Sequence, residues 1–133
     1  MKHTRLDQLS DGIFAIVMTI LVFEIRIPES IFITSNEQLW FVLRDLFPYF
    51  ASYVLSFTLL FTYWRAHHFF VSIYAKNIDA TLTNINALFF LLITLVPFSS
   101  SILGRFSSHE LAIAIFGIHI ILIGLALYSM RNY

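Results

Sequence analysis

The stretch TLTNINALFFLLITLVPFSSSILG, residues 81–104, contains no Asp, Glu, Lys or Arg, and its reading decides the fold. An α-helix rises about 1.5 Å per residue and the hydrocarbon core of a bilayer is about 30 Å thick, so about 20 apolar residues cross it. Leu111 to Met130 is equally free of charge, as is Leu46 to Trp64, where Pro48 falls in the first turn and is tolerated. Leu9 to Pro28 makes a fourth span, with Asp11 near one end and Glu24 and Arg26 near the other. The expected fold is all-α: one polytopic transmembrane helical bundle over residues 1–133, with four spans at 9–28, 46–64, 81–104 and 111–130.

Composition agrees. Hydrophobic residues make up 59% of the chain and charged residues only 12%, against about a quarter in soluble domains. The mean hydropathy is +0.81. A soluble helical bundle is disfavoured because three uncharged runs leave it no solvent-facing surface. A net charge of zero without a basic patch argues against nucleic acid as a partner. The chain has no Cys, so it has neither a disulfide framework nor a thiolate metal site. A cleaved signal peptide is disfavoured: Asp7 and Asp11 interrupt the basic approach to the first span, and Glu24 to Pro28 offers no small-residue cleavage site.

Basic residues beside the spans set the orientation. Lys2, Arg5, Arg65, Lys76 and Arg131 fall on one side and Arg26, Arg44 and Arg105 on the other, which makes both termini cytoplasmic in a multi-pass cell-membrane protein. Residues 29–45 are the longest non-spanning stretch; Ile31, Phe32, Trp40 and Phe41 suit the membrane interface, where aromatic residues concentrate. Arg65 to Ala80 is expected to extend the adjoining helices.

No G-x-S-x-G, H-E-x-x-H or Gly-rich phosphate loop is present, so an enzyme is not expected. His67 and His68 are adjacent and diverge by about 100° on a helix, which prevents joint chelation, and His3, His109 and His119 have no ligand spacing, so no metal site is expected. His119 sits mid-span, where a neutral imidazole bonded to a neighbouring helix is the simplest reading. The entrance to the first span is denser in polar groups. Thr4 and Asp7 have the spacing of a helix cap. Asp11 lies a full turn deeper, so its carboxylate needs a partner, and Arg5, Trp64, His67 or His68 can supply one from the same side. A polar network of Arg5, Ser10, Asp11, Trp64, His67 and His68 is expected to tie the first helix to the second.

These residues carry a resemblance. Arg5-x-x-x-Leu9-Ser10-Asp11 is similar to the R-x-x-x-F-S-D signature that opens the first helix of the transmembrane protein 175 potassium channel family, with Leu9 in place of the usual Phe. Tyr63-Trp64-Arg-Ala-His67-His68-Phe69 resembles the prokaryotic branch, as does Asn84-x-x-x-Leu88 running to Leu95-Val-Pro97-Phe98-Ser99. The resemblance covers roughly residues 5–103 and three of the four spans.

It implies a potassium-permeable cation channel in the membrane lipid, a homotetramer whose first helices line the pore, with weak preference for potassium over sodium. No cofactor is implied beyond the permeant potassium ion. The T-V-G-Y-G carbonyl filter is absent from this sequence, as it is from the family. The family's constriction is a ring of bulky aliphatic side chains five residues past the signature Asp, a position held here by Ile16. Ile20 and Phe23 continue that helical face, and Thr19 matches a family threonine one turn on. Family members of this branch carry six helices per subunit where this sequence has four, so a fragment or a shortened member is expected. The competing reading is a non-conducting membrane scaffold or subunit whose polar network serves packing alone. Proton-coupled transport through Asp11 and His119 is weaker, since the two lie at different depths.

Overall fold

The computed structural model describes residues 3–74 and 79–132, and they are helical with no strand among them. Helix α1 runs from His3 to Ile20 and tightens into a 3-10 turn, Leu21–Glu24. Helix α2, Asn36–Asp45, precedes α3, Phe47–His68, which continues as a π-helical segment, Phe69–Tyr74. Helices α4, Ala80–Thr94, and α5, Val96–Arg105, follow, and α6 spans Glu110–Asn132.

Among the described residues three stretches are each long and apolar enough to cross a membrane: Arg5–Glu24, Ala80–Arg105 and Glu110–Asn132. The expected span at 46–64 does not qualify alone. It does so only together with the preceding helix, as the pair Asn36–Asp45 and Phe47–Val71, bent by 45°. The hydroxyls of Ser52, Ser56, Thr58 and Thr62 and the polar end at Arg65, His67 and His68 lower the hydropathy of α3. Lys2 and Lys76, used above for orientation, lie outside the described residues.

The first span begins and ends earlier than expected. Its helix already contains Thr4, and regular winding stops at Glu24 rather than Pro28. The chain is already extended at Ile25 (φ −94°, ψ 94°), before Ile27, the residue that Pro28 itself disfavours from helical backbone. The interfacial stretch contains α2, which opens on a side-chain cap. Ser35 Oγ accepts from the Gln38 amide at 3.2 Å, while the Thr34 amide and hydroxyl donate to Gln38 Oε1 at 2.8 and 2.9 Å. No residue of α2 is buried, and Trp40 is 65% exposed.

The run that decided the fold is two helices rather than one. Pro97 has no N–H and its ring crowds the preceding turn, so α4 ends at Thr94 and α5 restarts at Val96. Near the break the Leu92 carbonyl accepts from His119 Nε2 at 2.7 Å, and the Ser99 hydroxyl lies 2.7 Å from His119 Nδ1. His119 is thus the imidazole bonded to neighbouring helices that its mid-span position suggested.

The core is apolar and assembled from every span: Phe14 of α1, Leu21 of the 3-10 turn that continues it, Leu60 of α3, Phe89 and Ile93 of α4 and Ile123 of α6 are each at most 2% exposed. Helices α3 and α5 meet through small residues instead. Ser56 donates to Ser100 at 2.8 Å, and Gly104 lies against Tyr49 and Ser52. In lipid, where burial of apolar surface drives helices together weakly, small side chains permit the close approach that dispersion and hydrogen bonding require. Substituting Ser56 by Ala is expected to cost about 0.5–1.5 kcal/mol in detergent unfolding. The Ser100 hydroxyl would keep only the Ser52 carbonyl, at 3.4 Å.

Candidate functional site

Helix α1 has two unlike faces. Leu6, Ser10, Phe14, Val17 and Leu21 recur at three- and four-residue intervals and are all buried within the subunit. On the other side Ile16 is 60% exposed, Ile20 37% and Phe23 66%, with Thr19 beside them, also exposed. Phe23 belongs to the 3-10 turn, where residues i and i+3 eclipse, so it stands above Ile20 rather than in strict α-helical register. The Thr19 hydroxyl lies 2.9 Å from both the Ala15 and Ile16 carbonyls, to which it donates, leaving its oxygen lone pairs unused by the protein.

The buried face is fastened near its polar end. Ser10, His67 and Asn86, from α1, α3 and α4, form one chain of hydrogen bonds, each residue at most 2% exposed. Its direction follows from the amide. Asn86 Nδ2 donates to the Leu82 carbonyl at 2.8 Å, so Oδ1 is the atom facing His67 Nε2 at 2.6 Å and must accept from it. His67 Nδ1 then accepts from the Ser10 hydroxyl at 3.2 Å, and a neutral imidazole satisfies both neighbours. The ring lies parallel to Phe89 (centroids 5.1 Å apart, planes 1° apart), and Phe89 in turn meets Phe14 at 5.9 Å. Among the described residues no buried side-chain nitrogen or oxygen lacks a partner.

A second, exposed branch lies beside it. Trp64 Nε1 donates to Asp11 Oδ1 at 2.8 Å, which supplies the partner Asp11 required, and His68 stacks on the Trp64 ring at 6.1 Å. The structure thus brings together Ser10 with His67 and Asp11 with Trp64, and adds His68 through a ring contact. Arg5 is exposed and joins neither branch among the described residues. Asn86 is the member that the sequence reading missed. Its signal was present: a primary amide inside an uncharged span requires a buried partner.

Fold and site together define a multi-pass membrane protein whose first helix is bound to two others by a buried polar chain, while Ile16, Ile20 and Phe23 on its opposite face are exposed. Over residues 5–97 the sequence matches the family described as endosomal/lysosomal potassium channel TMEM175, and the protein belongs to that family. It is 30% identical over 133 residues to a potassium channel of Chryseobacterium sp. (strain P1-3), covering 99% of this chain and 65% of the relative. It is 33% identical over 108 residues to one of Chamaesiphon minutus, covering 81% of this chain and 52% of that one. The fold superposes with a TM-score of 0.87 and 28% identity on the crystal structure of a lysosomal potassium-selective channel TMEM175 homolog from Chamaesiphon minutus, covering 96% of this chain and 69% of that one. The chain therefore spans between about half and two thirds of the length of these two relatives.

Proposed function

We infer that this chain is the subunit of a potassium-permeable cation channel, assembled as a homotetramer with α1 lining the pore and Ile16 forming its narrowest ring. The observation that carries this reading is the two-faced α1, whose buried side is locked by the Ser10–His67–Asn86 chain while Ile16, Ile20 and Phe23 face away from the subunit. Family membership and relatives named as potassium channels support it. With four spans, the bent α2–α3 pair counted as one, both termini are cytoplasmic and the polar chain lies toward that side.

The chemistry of such a pore is that of an apolar neck. Rings at Ile16 and Ile20 sit about 6 Å apart along the axis and exclude water until the helices separate. Selectivity is then weak, because neither a carbonyl cage nor a charged ring replaces the hydration shell. Thr19 offers an acceptor oxygen to a partly dehydrated potassium ion.

Flux of potassium and sodium through the purified protein in liposomes tests this. Wild-type flux favouring potassium modestly is expected, and Ile16→Asn is expected to raise leak about tenfold, equivalent to lowering the barrier by ~1.4 kcal/mol. Unchanged flux in Ile16→Asn would remove Ile16 from the neck. Silence from both, in folded and inserted protein, would favour the alternative of a non-conducting subunit or scaffold.

A further inference from the structure

At the end of α1 remote from His67 the protein has a half-open cleft of about 580 Å³, within the range that encloses a small organic group. Five charged side chains line it: Glu24 from the 3-10 turn, Arg26 and Glu29 from the loop that follows, Asp45 at the end of α2 and Arg105 at the end of α5. Opposite charges sharing one cleft ordinarily pair with each other. Among the described residues these do not, for no carboxylate oxygen comes within the 4.0 Å of an ion pair to either guanidinium. Nor do the carboxylates converge: no three acidic or histidine side chains among the described residues are grouped to hold a metal ion. Charges of both signs, spread out and unneutralised, complement a ligand that itself carries two separated opposite charges.

We propose that this cleft binds the headgroup of a phospholipid bearing a phosphodiester and a primary ammonium, a phosphatidylethanolamine. Position argues for a lipid as the source. The cleft lies where α1, α2 and α5 end and the helix pair bends, at the termini of apolar spans, and α2, which lines it through Val42 and Asp45, carries the exposed aromatics Trp40 and Phe41 that suit a membrane interface. Arg26 and Arg105 present planar donor forks suited to phosphate oxygens. The carboxylates accept N–H bonds, which a primary ammonium supplies and a quaternary choline does not. Three carboxylates against two guanidiniums leave the cleft net negative, which disfavours an anionic glycerol headgroup. Ile27 and Leu46 form an apolar wall for the glycerol and the first acyl carbons. This site does not depend on whether the protein conducts ions.

The test is native mass spectrometry of the delipidated full chain in detergent, with phosphatidylethanolamine, phosphatidylcholine or phosphatidylglycerol added at equal concentration. Phosphatidylethanolamine is expected to be retained about tenfold more than either other lipid, a difference that R26Q/R105Q and, separately, D45N abolish. Arg26, Asp45 and Arg105 are exposed, so these variants are expected to keep wild-type helicity by circular dichroism. Equal retention of the three lipids, undiminished preference in both variants, or a cleft that holds no lipid because a second copy covers it would each overturn the proposal. Soluble glycerophosphoethanolamine competing at the concentration of the lipid would overturn the lipid as its source.

Discussion

His67→Ala is expected to lower the unfolding free energy in detergent by about 2–4 kcal/mol. The loss has separable parts. Asn86 Oδ1 loses its donor and the Ser10 hydroxyl loses its acceptor, and both residues are buried. A void also opens against Phe89 and Phe90, whose rings lie 5.1 and 5.3 Å from the imidazole. Hydrogen bonds within membranes average well under 1 kcal/mol when measured by double-mutant cycles, so the void and the orphaned amide supply most of the effect. His67→Gln is the informative comparison. Its amide donates to Asn86 but cannot also reach Ser10 with imidazole geometry, so it should retain about half of the stability lost in His67→Ala. Equal stability of wild type and His67→Ala would show that the polar chain does not hold α1 in place.

The second large effect is expected at Gly104. A Cβ added there would lie 2.7 Å from Ser52 Oγ and 3.3 Å from both the Cα and Cδ1 of Tyr49. Gly104→Val drives two branches into that contact and forces α3 and α5 apart, at a cost of about 3 kcal/mol or more, read as a lower midpoint in detergent unfolding. Gly104→Ala is gentler because the nearest obstruction is one hydroxyl, which already donates to the Tyr49 carbonyl at 3.0 Å. Removing that obstruction should help. The double variant Gly104→Ala with Ser52→Ala is expected to recover at least half of the Gly104→Ala loss, a non-additivity between touching residues. Strict additivity would place the strain at the Tyr49 backbone instead.

Parts of the site were legible in the sequence for a definite reason. Asp11 sits one turn inside an apolar helix, and a carboxylate there must find a donor, so Trp64 could be named in advance among few candidates. His67 belonged to the same short set, although its partners are Ser10 and Asn86 rather than Asp11. Arg5 was included on charge alone, and charge at a wet helix end specifies no contact: it reaches solvent as readily as a carboxylate. Asn86 and Ser100 were overlooked, and Ser99 was noted only within the resemblance, because uncharged polar residues do not interrupt an apolar run, yet all three bond across helices. The break at Leu95 was likewise hidden within a run whose length fits a span, although Pro97 marks it.

What the sequence by itself determined is the solvent of the protein: uncharged runs at 81–104 and 111–130 require lipid around them. The helix boundaries set by the Ser35 and Asp79 caps and by Pro97 emerged only with the structure. Tertiary structure alone decided which side of each helix meets which. In water, polar and apolar faces separate and the pattern reveals the buried side; in a bilayer Phe14 and Ile16 are equally apolar, and only packing makes one 2% and the other 60% exposed.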